Sequence, residues 1–348
     1  MVERYELAPK LSPGYTMSRL LKGGWHLAGG HGDVDRRQAI DDMAAFVQAG
    51  ITSFDCADHY TGVEELIGDF RAAYPDLGRR IEIHTKFVPD YDRLTSCDRA
   101  YVESIIDRSL KRLRVDCLDL VQFHWWNYAV PGYVEAMGVL DDLRRAGKIR
   151  LLGLTNFNTA TTREIAAAVP LAATQVQYSV LDARPERGLV EFCRAQQIGL
   201  LCYGTLAGGF LSEAWLGKPE PQEPLANRSL TKYKLIIEDF GGWGLFQELL
   251  GVLRAIGEAH GCNIGQVATR YVLDRPGVAG AIVGATSTRH LAGNLRIDSL
   301  RLDAAQQARL DAVLAKRSGP PGDCYDIERD KTGRHGRIMR YNLNDGRH

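Results

Sequence analysis

Short apolar runs alternate with amphipathic stretches along most of the chain. Each apolar run has the length of a buried strand, and each amphipathic stretch has the period of a helix. The predicted strands lie at 19–24, 53–57, 81–86, 118–124, 149–155, 174–179, 199–203 and 280–284. The predicted helices lie at 36–48, 63–73, 101–113, 133–146, 160–168, 187–196, 264–273 and 288–295. Because helices between strands require a parallel sheet, these eight units predict an α/β fold closed into a (β/α)8 TIM barrel.

Three segments fall outside this alternation. They are an N-terminal hairpin at 5–15, a long loop after strand seven at 206–260 and a final helix at 303–317. We expect the hairpin to close the barrel floor, and the loop, with a helix at 243–260, to strap a cofactor, because long loops in compact domains are usually functional or disordered. The chain should therefore form one barrel domain over residues 1–317, followed by a C-terminal extension over 318–348.

The composition narrows the class of protein. Lys+Arg and Asp+Glu both total 43, so the net charge is zero, which argues against broad binding of nucleic acid or anionic membranes. No apolar run approaches the ~18 residues that span a bilayer, and the N-terminus has no signal-peptide core, so we expect a cytoplasmic protein. The seven cysteines form no C-x-x-C pair, and no residues have metal-ligand spacing, so neither disulfides nor a metal site is predicted.

Four polar side chains stand at or just beyond the ends of neighbouring predicted strands. Asp55 ends strand two and Tyr60 follows it, Lys86 ends strand three, and His124 ends strand four. Parallel barrel strands bring such residues to one mouth. There Lys86 can lower the pKa of the Tyr60 phenol from its usual ~10, while Asp55 keeps the lysine charged. His124 can hydrogen-bond a substrate oxygen or join the proton relay.

This set suits proton delivery to a carbonyl oxygen while another agent attacks the carbon. No activated serine or cysteine is evident, and Cys56, beside Asp55, is best explained as a packed, inert thiol. Hydride from a cofactor is therefore the natural partner of the proton donor.

The motifs around these residues resemble the aldo-keto reductase family. Residues 54–60 (FDCADHY), Thr85-Lys86 and Phe123-His124-Trp125 are similar to the family's segments at strands two, three and four, and the likeness runs from about residue 17 to about residue 317. The resemblance implies reduction of an aldehyde or ketone with NADP(H), or the reverse oxidation of an alcohol or sugar. Tyr60 would be the acid, His124 the orienting donor, Lys86 the group that shifts the tyrosine pKa and Asp55 its partner.

The resemblance also implies cofactor contacts spread over several strand ends. Thr155, Asn156 and Gln175 match residues that hold the nicotinamide carboxamide, and Tyr203 matches the aromatic residue that stacks on the nicotinamide ring. The other implied contacts are Gly24, Trp25, Gly204, Leu206, Gly284, Thr286, Arg289, His290 and Asn294.

The predicted site for the adenosine 2′-phosphate departs from the family pattern. Gly284 and His290 stand where many members place Lys and Arg, and Asn294 matches an adenine contact. Since Arg binds phosphate with the better geometry, Arg289 is the expected ligand if the cofactor is NADP, and NAD is the alternative.

Aromatic residues near the four polar groups have two interpretations. Trp25, Trp125 and Trp126 can form the wall of a pocket for a small carbonyl or alcohol substrate, or they can be ordinary packing. Two other functions stay open beside the reductase: an NADP-binding regulatory subunit of a larger complex with slow or no turnover, and a barrel isomerase or lyase that uses Tyr60 and Lys86 without hydride.

Overall fold

The computed structural model describes residues 2–28, 34–284 and 287–344. Within these residues, a two-stranded antiparallel sheet precedes a closed barrel of eight parallel strands. The hairpin strands are β1 (Arg4–Glu6) and β2 (Thr16–Ser18). The barrel strands are β3 (Leu20–Gly23), β4 (Ser53–Asp55), β5 (Glu82–Phe87), β6 (Leu118–Phe123), β7 (Ile149–Thr155), β8 (Ala173–Gln177), β9 (Gly199–Tyr203) and β10 (Val278–Gly284).

Helices follow the barrel strands and cover the outside of the barrel. They are α1 (Arg36–Gln48), α2 (Val63–Ala73), α3 (Pro75–Gly78), α4 (Arg99–Leu113), α5 (Tyr133–Arg145), α6 (Thr159–Ala168), α7 (Leu189–Gln196), α8 (Arg228–Phe240), α9 (Gly242–His260), α10 (Ile264–Leu273), α11 (Leu291–Ile297), α12 (Ala304–Leu314) and α13 (Asp326–Arg329). None of the described helices has both the length and the apolar composition needed to cross a bilayer.

Each barrel strand pairs with its neighbours in sequence, and β10 closes the barrel against β3. Pairing in register brings Gly23 beside Asp55 and Asp55 beside His84, so the strands end at one common rim. The predicted (β/α)8 barrel is therefore confirmed, with strand bounds that differ from the prediction by only a few residues.

The N-terminal hairpin closes the floor of the barrel, as predicted. Leu7 and Met17 are fully buried and pack in one apolar cluster with Leu21, Leu120 and Leu201, whose side chains point into the barrel from three strands. Because these side chains fill the lower end of the barrel, ligands can reach its interior only from the opposite end, where the strands finish.

The loop after strand seven contains a helix that the sequence analysis did not predict, α8, ahead of the predicted helix, here α9. Residues 318–344 are called the tail below. The tail begins at the end of α8, where Ser318 N donates to Phe240 O at 3.0 Å. The tail then passes over the barrel mouth and ends near β5, where the backbone N–H groups of Leu343 and Asn344 donate to Asp90. Whether residues 318–348 count as a separate extension from the barrel domain stays a prediction.

Candidate active site

A buried ion pair lies at the centre of the barrel mouth. Lys86 Nζ donates to both carboxylate oxygens of Asp55, at 2.8 and 2.9 Å, and to the backbone oxygen of Cys56 at 2.8 Å. Only 4% of each of the two charged residues is exposed. Asp55 and neighbouring groups raise the pKa of Lys86 against the opposing effect of burial, so the ammonium stays charged.

Tyr60 lies directly against this pair. Its ring centroid is 5.1 Å from Lys86 Nζ, and its edges meet the rings of His59 and Trp25. Burial raises the pKa of Tyr60 to about 12, although the charge of Lys86 lowers it. The sequence analysis therefore predicted correctly that Lys86 lowers the pKa of Tyr60, but it did not predict that burial raises this pKa by more. At neutral pH the phenol keeps its proton.

Two glutamines complete the surroundings of Asp55. Gln175 Nε2 donates to Asp55 Oδ1 at 2.6 Å and to Gln122 Oε1 at 3.0 Å, and Gln122 Nε2 lies 3.4 Å from the same carboxylate oxygen. Gln175 was predicted as a contact for the nicotinamide carboxamide, and that role stays a prediction. The structure gives Gln175 a second role, since it links the end of β8 to the Lys86–Asp55 pair.

His124 follows the end of β6 and lies in a buried, aromatic environment. Its Nδ1 is 3.0 Å from the backbone oxygen of Thr155, and its ring meets Trp126 and Tyr325 edge to face. Burial first, and the charge of Arg329 second, hold its pKa well below the usual range. Its Nε2 is buried and has no hydrogen-bond partner among the described residues. A substrate oxygen could fill that position.

The three predicted substrate tryptophans occupy different places. Trp25 lies 5.1 Å from the ring of Tyr60, and Trp126 lies 4.4 Å from the ring of His124, so both border the site. Trp125 is fully buried, and its indole N–H donates to Val130 O. Successive side chains near a strand end point to opposite sides, so Trp126 faces the mouth while Trp125 packs toward the helices.

The residues matched to the nicotinamide lie together at the ends of β7 and β9. Asn156 has a left-handed backbone (φ +62°) that turns the chain out of β7, and Asn156 Oδ1 accepts a hydrogen bond from Tyr203 at 2.8 Å. Thr155 precedes this turn. Gly204 also has a positive φ, and a Cβ there would lie 2.5 Å from the hydroxyl of Tyr233, so no larger residue fits. Leu206 lies two residues further along the same loop.

The packing of the strands explains why a glycine stands at position 24, whether or not a cofactor binds there. Its N–H donates to Asp55 O at 2.8 Å, and a Cβ at this position would lie 2.8 Å from the same oxygen. The absence of a side chain therefore lets the end of β3 approach the strand that carries Asp55. The predicted cofactor contact at Gly24 stays a prediction.

The residues matched to the adenosine half of the cofactor lie after β10. Gly284, Arg289 and His290 are exposed, and Arg289 Nε donates to His290 Nε2 at 3.2 Å. The amide nitrogen of Asn294 is buried and has no hydrogen-bond partner among the described residues, which fits a donor to an adenine ring. Thr286 lies outside the described residues.

Helix α8 and the tail bring further residues to the site that the sequence analysis missed. Lys232 on α8 places its ammonium 5.0 Å from the ring centroid of Tyr203. Tyr325, Arg329 and Tyr341 of the tail approach His124, Asn156 and Trp126. A signal for α8 was present, because Asn227 caps it and its buried residues recur at helical spacing. The tail has no apolar periodicity that could have indicated its path.

Two other chemistries find no support in the described part of the chain. Burial raises the pKa of the Cys56 thiol well above its usual value, so this cysteine is unreactive. Among residues 2–28, 34–284 and 287–344, no group of three His, Cys, Asp or Glu side chains could hold a metal ion.

The barrel and the site at its mouth define an oxidoreductase of the (β/α)8 class. A model of the aldo/keto reductase family matches residues 19–315. The chain belongs to the aldo/keto reductase family.

Individual relatives agree with this assignment. The chain is 27% identical over 320 residues to aldo-keto reductase YhdN of Bacillus subtilis (strain 168), covering 88% of this chain and 93% of that protein. It is 31% identical over 316 residues to aldo-keto reductase yakc (NADP(+)) of Schizosaccharomyces pombe, covering 86% and 90%. The fold is shared with the glycerol dehydrogenase AKR11B4 from Gluconobacter oxydans, with a TM-score of 0.77, 22% identity, and coverage of 92% and 97%.

Proposed function

We propose that this chain is an NADP(H)-dependent oxidoreductase that reduces an aldehyde or ketone, or oxidises the matching alcohol or sugar, with Tyr60 as general acid. The observation that carries the proposal is the buried Lys86–Asp55 pair, which lies against the ring of Tyr60, with His124 at the end of the adjacent strand β6. A phenol, an ammonium and an imidazole within one water-poor mouth can serve a carbonyl oxygen.

The protonation states of these groups suit reduction. Tyr60 has a pKa of about 12, so it carries a proton that it can give to a carbonyl oxygen as that oxygen gains charge. Lys86 makes the resulting phenolate less costly, and Asp55 with Gln175 keeps the ammonium in place. His124 Nε2 would contact the substrate, while Trp25 and Trp126 would exclude water from it.

The residues for the cofactor fit NADP(H), which supplies the hydride when it is bound. Asn156, Gln175 and Tyr203 would hold and orient the nicotinamide half. Arg289 and Asn294 would bind the 2′-phosphate and the adenine, since an exposed guanidinium and a buried amide donor are available there. The similar S. pombe protein carries NADP(+) in its name. NAD is the alternative, because Gly284 adds no positive charge to this loop.

The substitution Tyr60→Phe tests the proposal. It removes the proton but leaves the ring, so turnover should fall by about 10²–10⁴, the range of general acid catalysis. The assay is a panel of aldehydes, ketones, alcohols and sugars with NADPH, NADH and their oxidised forms. Affinity for NADPH, measured by quenching of the protein's tryptophan fluorescence, should stay near that of the parent.

Tyr74→Phe is the matched control, because the hydroxyl of Tyr74 meets only Asp41 at the surface in the described contacts. This control should keep full turnover. Equal turnover of the parent and Tyr60→Phe would remove Tyr60 from the mechanism. NADPH binding by a parent protein that turns over no member of the panel would favour the regulatory subunit instead.

A further inference from the structure

Lys232 of α8 lies beside two tyrosine rings at the mouth of the barrel. Its ammonium is 5.0 Å from the ring centroid of Tyr203 and 5.5 Å from that of Tyr233. No carboxylate of the described residues forms an ion pair with this ammonium. The closest groups around the positive charge are therefore aromatic faces, which attract a cation through the ring quadrupole.

The loop after β9 determines where α8 and its lysine lie. Asn227 caps the helix, and Tyr233, one turn further on, packs against two glycines of the loop. A Cβ would lie 2.5 Å from the Tyr233 hydroxyl at Gly204 and 2.8 Å from the Tyr233 ring at Gly208. Because only glycine leaves room for this ring, α8 comes close to the end of β9 and brings Lys232 with it.

Tyr203 is held in one position beside this ammonium. Its hydroxyl donates to Asn156 Oδ1 at 2.8 Å, and its backbone oxygen accepts a hydrogen bond from Tyr178 N at 3.1 Å. It ends β9 and pairs there with Gln177 of β8. The ring is therefore a fixed surface on which a planar ligand can stack, and Lys232 carries a positive charge next to it.

A cluster of three charged groups also acts on Lys232. Arg184 donates to Glu328 at 2.7 and 2.9 Å and to Asp182 at 2.7 Å, so the cluster has one positive and two negative members. Burial lowers the pKa of Lys232, whereas Glu328 raises it and thereby favours the ammonium form. Lys232 therefore offsets the excess negative charge of the cluster.

The two forms of a nicotinamide cofactor differ in charge at the ring but not at the phosphates. The reduced ring is neutral, and the oxidised ring is positively charged. A ring that stacks on Tyr203 has its centroid within about 7 Å of the tyrosine centroid, and therefore within about 12 Å of the Lys232 ammonium. At an effective dielectric constant of about 20, repulsion between two positive charges at about 12 Å changes a dissociation constant about tenfold.

We propose that Lys232 weakens the binding of the oxidised cofactor relative to the reduced one, and so favours cofactor release after a carbonyl has been reduced. Without this ammonium, the excess negative charge around Arg184 would stabilise the oxidised ring. Attraction between Lys232 and the phosphates changes both affinities equally, so the ratio of the two dissociation constants isolates the effect at the ring. The inference rests on the proposed function, because it requires a nicotinamide ring on Tyr203.

The ratio of the dissociation constants of NADP+ and NADPH tests the inference without any turnover. Both constants are measured by titration calorimetry on the full-length protein, and NAD+ and NADH replace this pair if they bind more tightly. Lys232→Met keeps an unbranched side chain but removes the charge, so the ratio should fall about tenfold. Lys232→Gln should give the same fall. Lys232→Arg keeps the charge and should keep a ratio within about twofold of the parent value.

Two controls separate the ring from the phosphates and the site from the rest of the loop. 2′-Phospho-ADP-ribose carries the phosphates without the nicotinamide, so Lys232→Met should change its dissociation constant by the same factor as that of NADPH. Lys218→Met removes an exposed charge from the same loop and should leave the ratio at the parent value.

The possible outcomes distinguish this inference from the proposed function. An unchanged ratio in folded Lys232→Met and Lys232→Gln proteins that bind both forms would overturn the inference alone. A fall of the same size in Lys232→Arg would also overturn it, because the charge would then not be the cause. A parent protein that binds neither form of either cofactor would overturn the proposed function, and this inference with it.

Discussion

The two ends of the barrel are both closed by an end of the chain, but by different interactions. At the floor, the N-terminal hairpin buries Leu7 and Met17 in an apolar cluster. At the mouth, the tail is held by hydrogen bonds and ion pairs, among them those of Glu328 and Arg329. Apolar packing seals the floor and contributes stability, whereas at the mouth a buried polar atom, His124 Nε2, has no hydrogen-bond partner among the described residues.

Two buried histidines show the same contrast within one barrel. His84, on β5, lies 3.2 Å from the hydroxyl of Tyr15 in the floor hairpin, and burial lowers its pKa to about 3. His124 is also neutral, but it lies at the strand end among Trp126 and Tyr325. The two rings therefore differ in their surroundings: His84 contacts the floor hairpin, whereas His124 lies at the end of a strand against Trp126 and Tyr325.

The largest effect on stability is expected at the mouth, from Lys86→Met. The substitution leaves the Asp55 carboxylate buried without its ion-pair partner, which should lower the free energy of unfolding by about 3–5 kcal/mol in urea denaturation, and turnover should fall as well. The double substitution Lys86→Met with Asp55→Asn removes both charges and should recover part of the stability but none of the turnover. Parent-like stability of the single variant would contradict the buried pair.

A floor substitution should separate stability from activity. Leu7→Ala empties a fully buried position, so it should lower the free energy of unfolding by about 2–5 kcal/mol, while turnover per folded molecule stays unchanged. Leu11→Ala in the same hairpin is the control, because 46% of Leu11 is exposed, and its effect should be within about 0.5 kcal/mol. A loss of turnover per folded molecule in Leu7→Ala would show that the two ends of the barrel are coupled.

A smaller effect is expected where the tail is anchored. Arg184 holds the pKa of Glu328 below its usual value, so the stabilisation from this pair is present above about pH 4.3 and is lost as the pH falls through the lowered value. Glu328→Gln should lower the free energy of unfolding by about 1–3 kcal/mol at neutral pH. In this variant the free energy of unfolding should also fall less steeply as the pH is lowered.

Glu103→Gln is the control for that experiment, because Glu103 pairs with Arg99 at the surface. It should change the free energy of unfolding by less than about 1 kcal/mol at any pH. An unchanged acid profile in Glu328→Gln would mean that the tail is not held by this ion pair.

The sequence predicted that Asp55, Tyr60 and Lys86 would meet at one end of the barrel, as they do in the structure, but it predicted their environment only in part. Their catalytic role stays a prediction. Asp55, Tyr60, Lys86 and His124 could be placed together because each follows a strand whose apolar pattern is local. The net pKa of Tyr60 could not be predicted, since it depends on burial by residues from other strands. The different orientations of Trp125 and Trp126 were also missed, although the alternation of successive side chains could have indicated them.

The sequence by itself determined the order of the eight strand–helix units, the closed floor and the strand ends that carry the four polar groups. These follow from periodicity and from turns within short stretches of chain, where neighbouring residues decide the local structure. Only the tertiary structure decided how the tail crosses the mouth and which nitrogen of His124 faces it. Arg329 and Trp125 are 204 positions apart, and a contact across such a distance depends on how the whole chain packs.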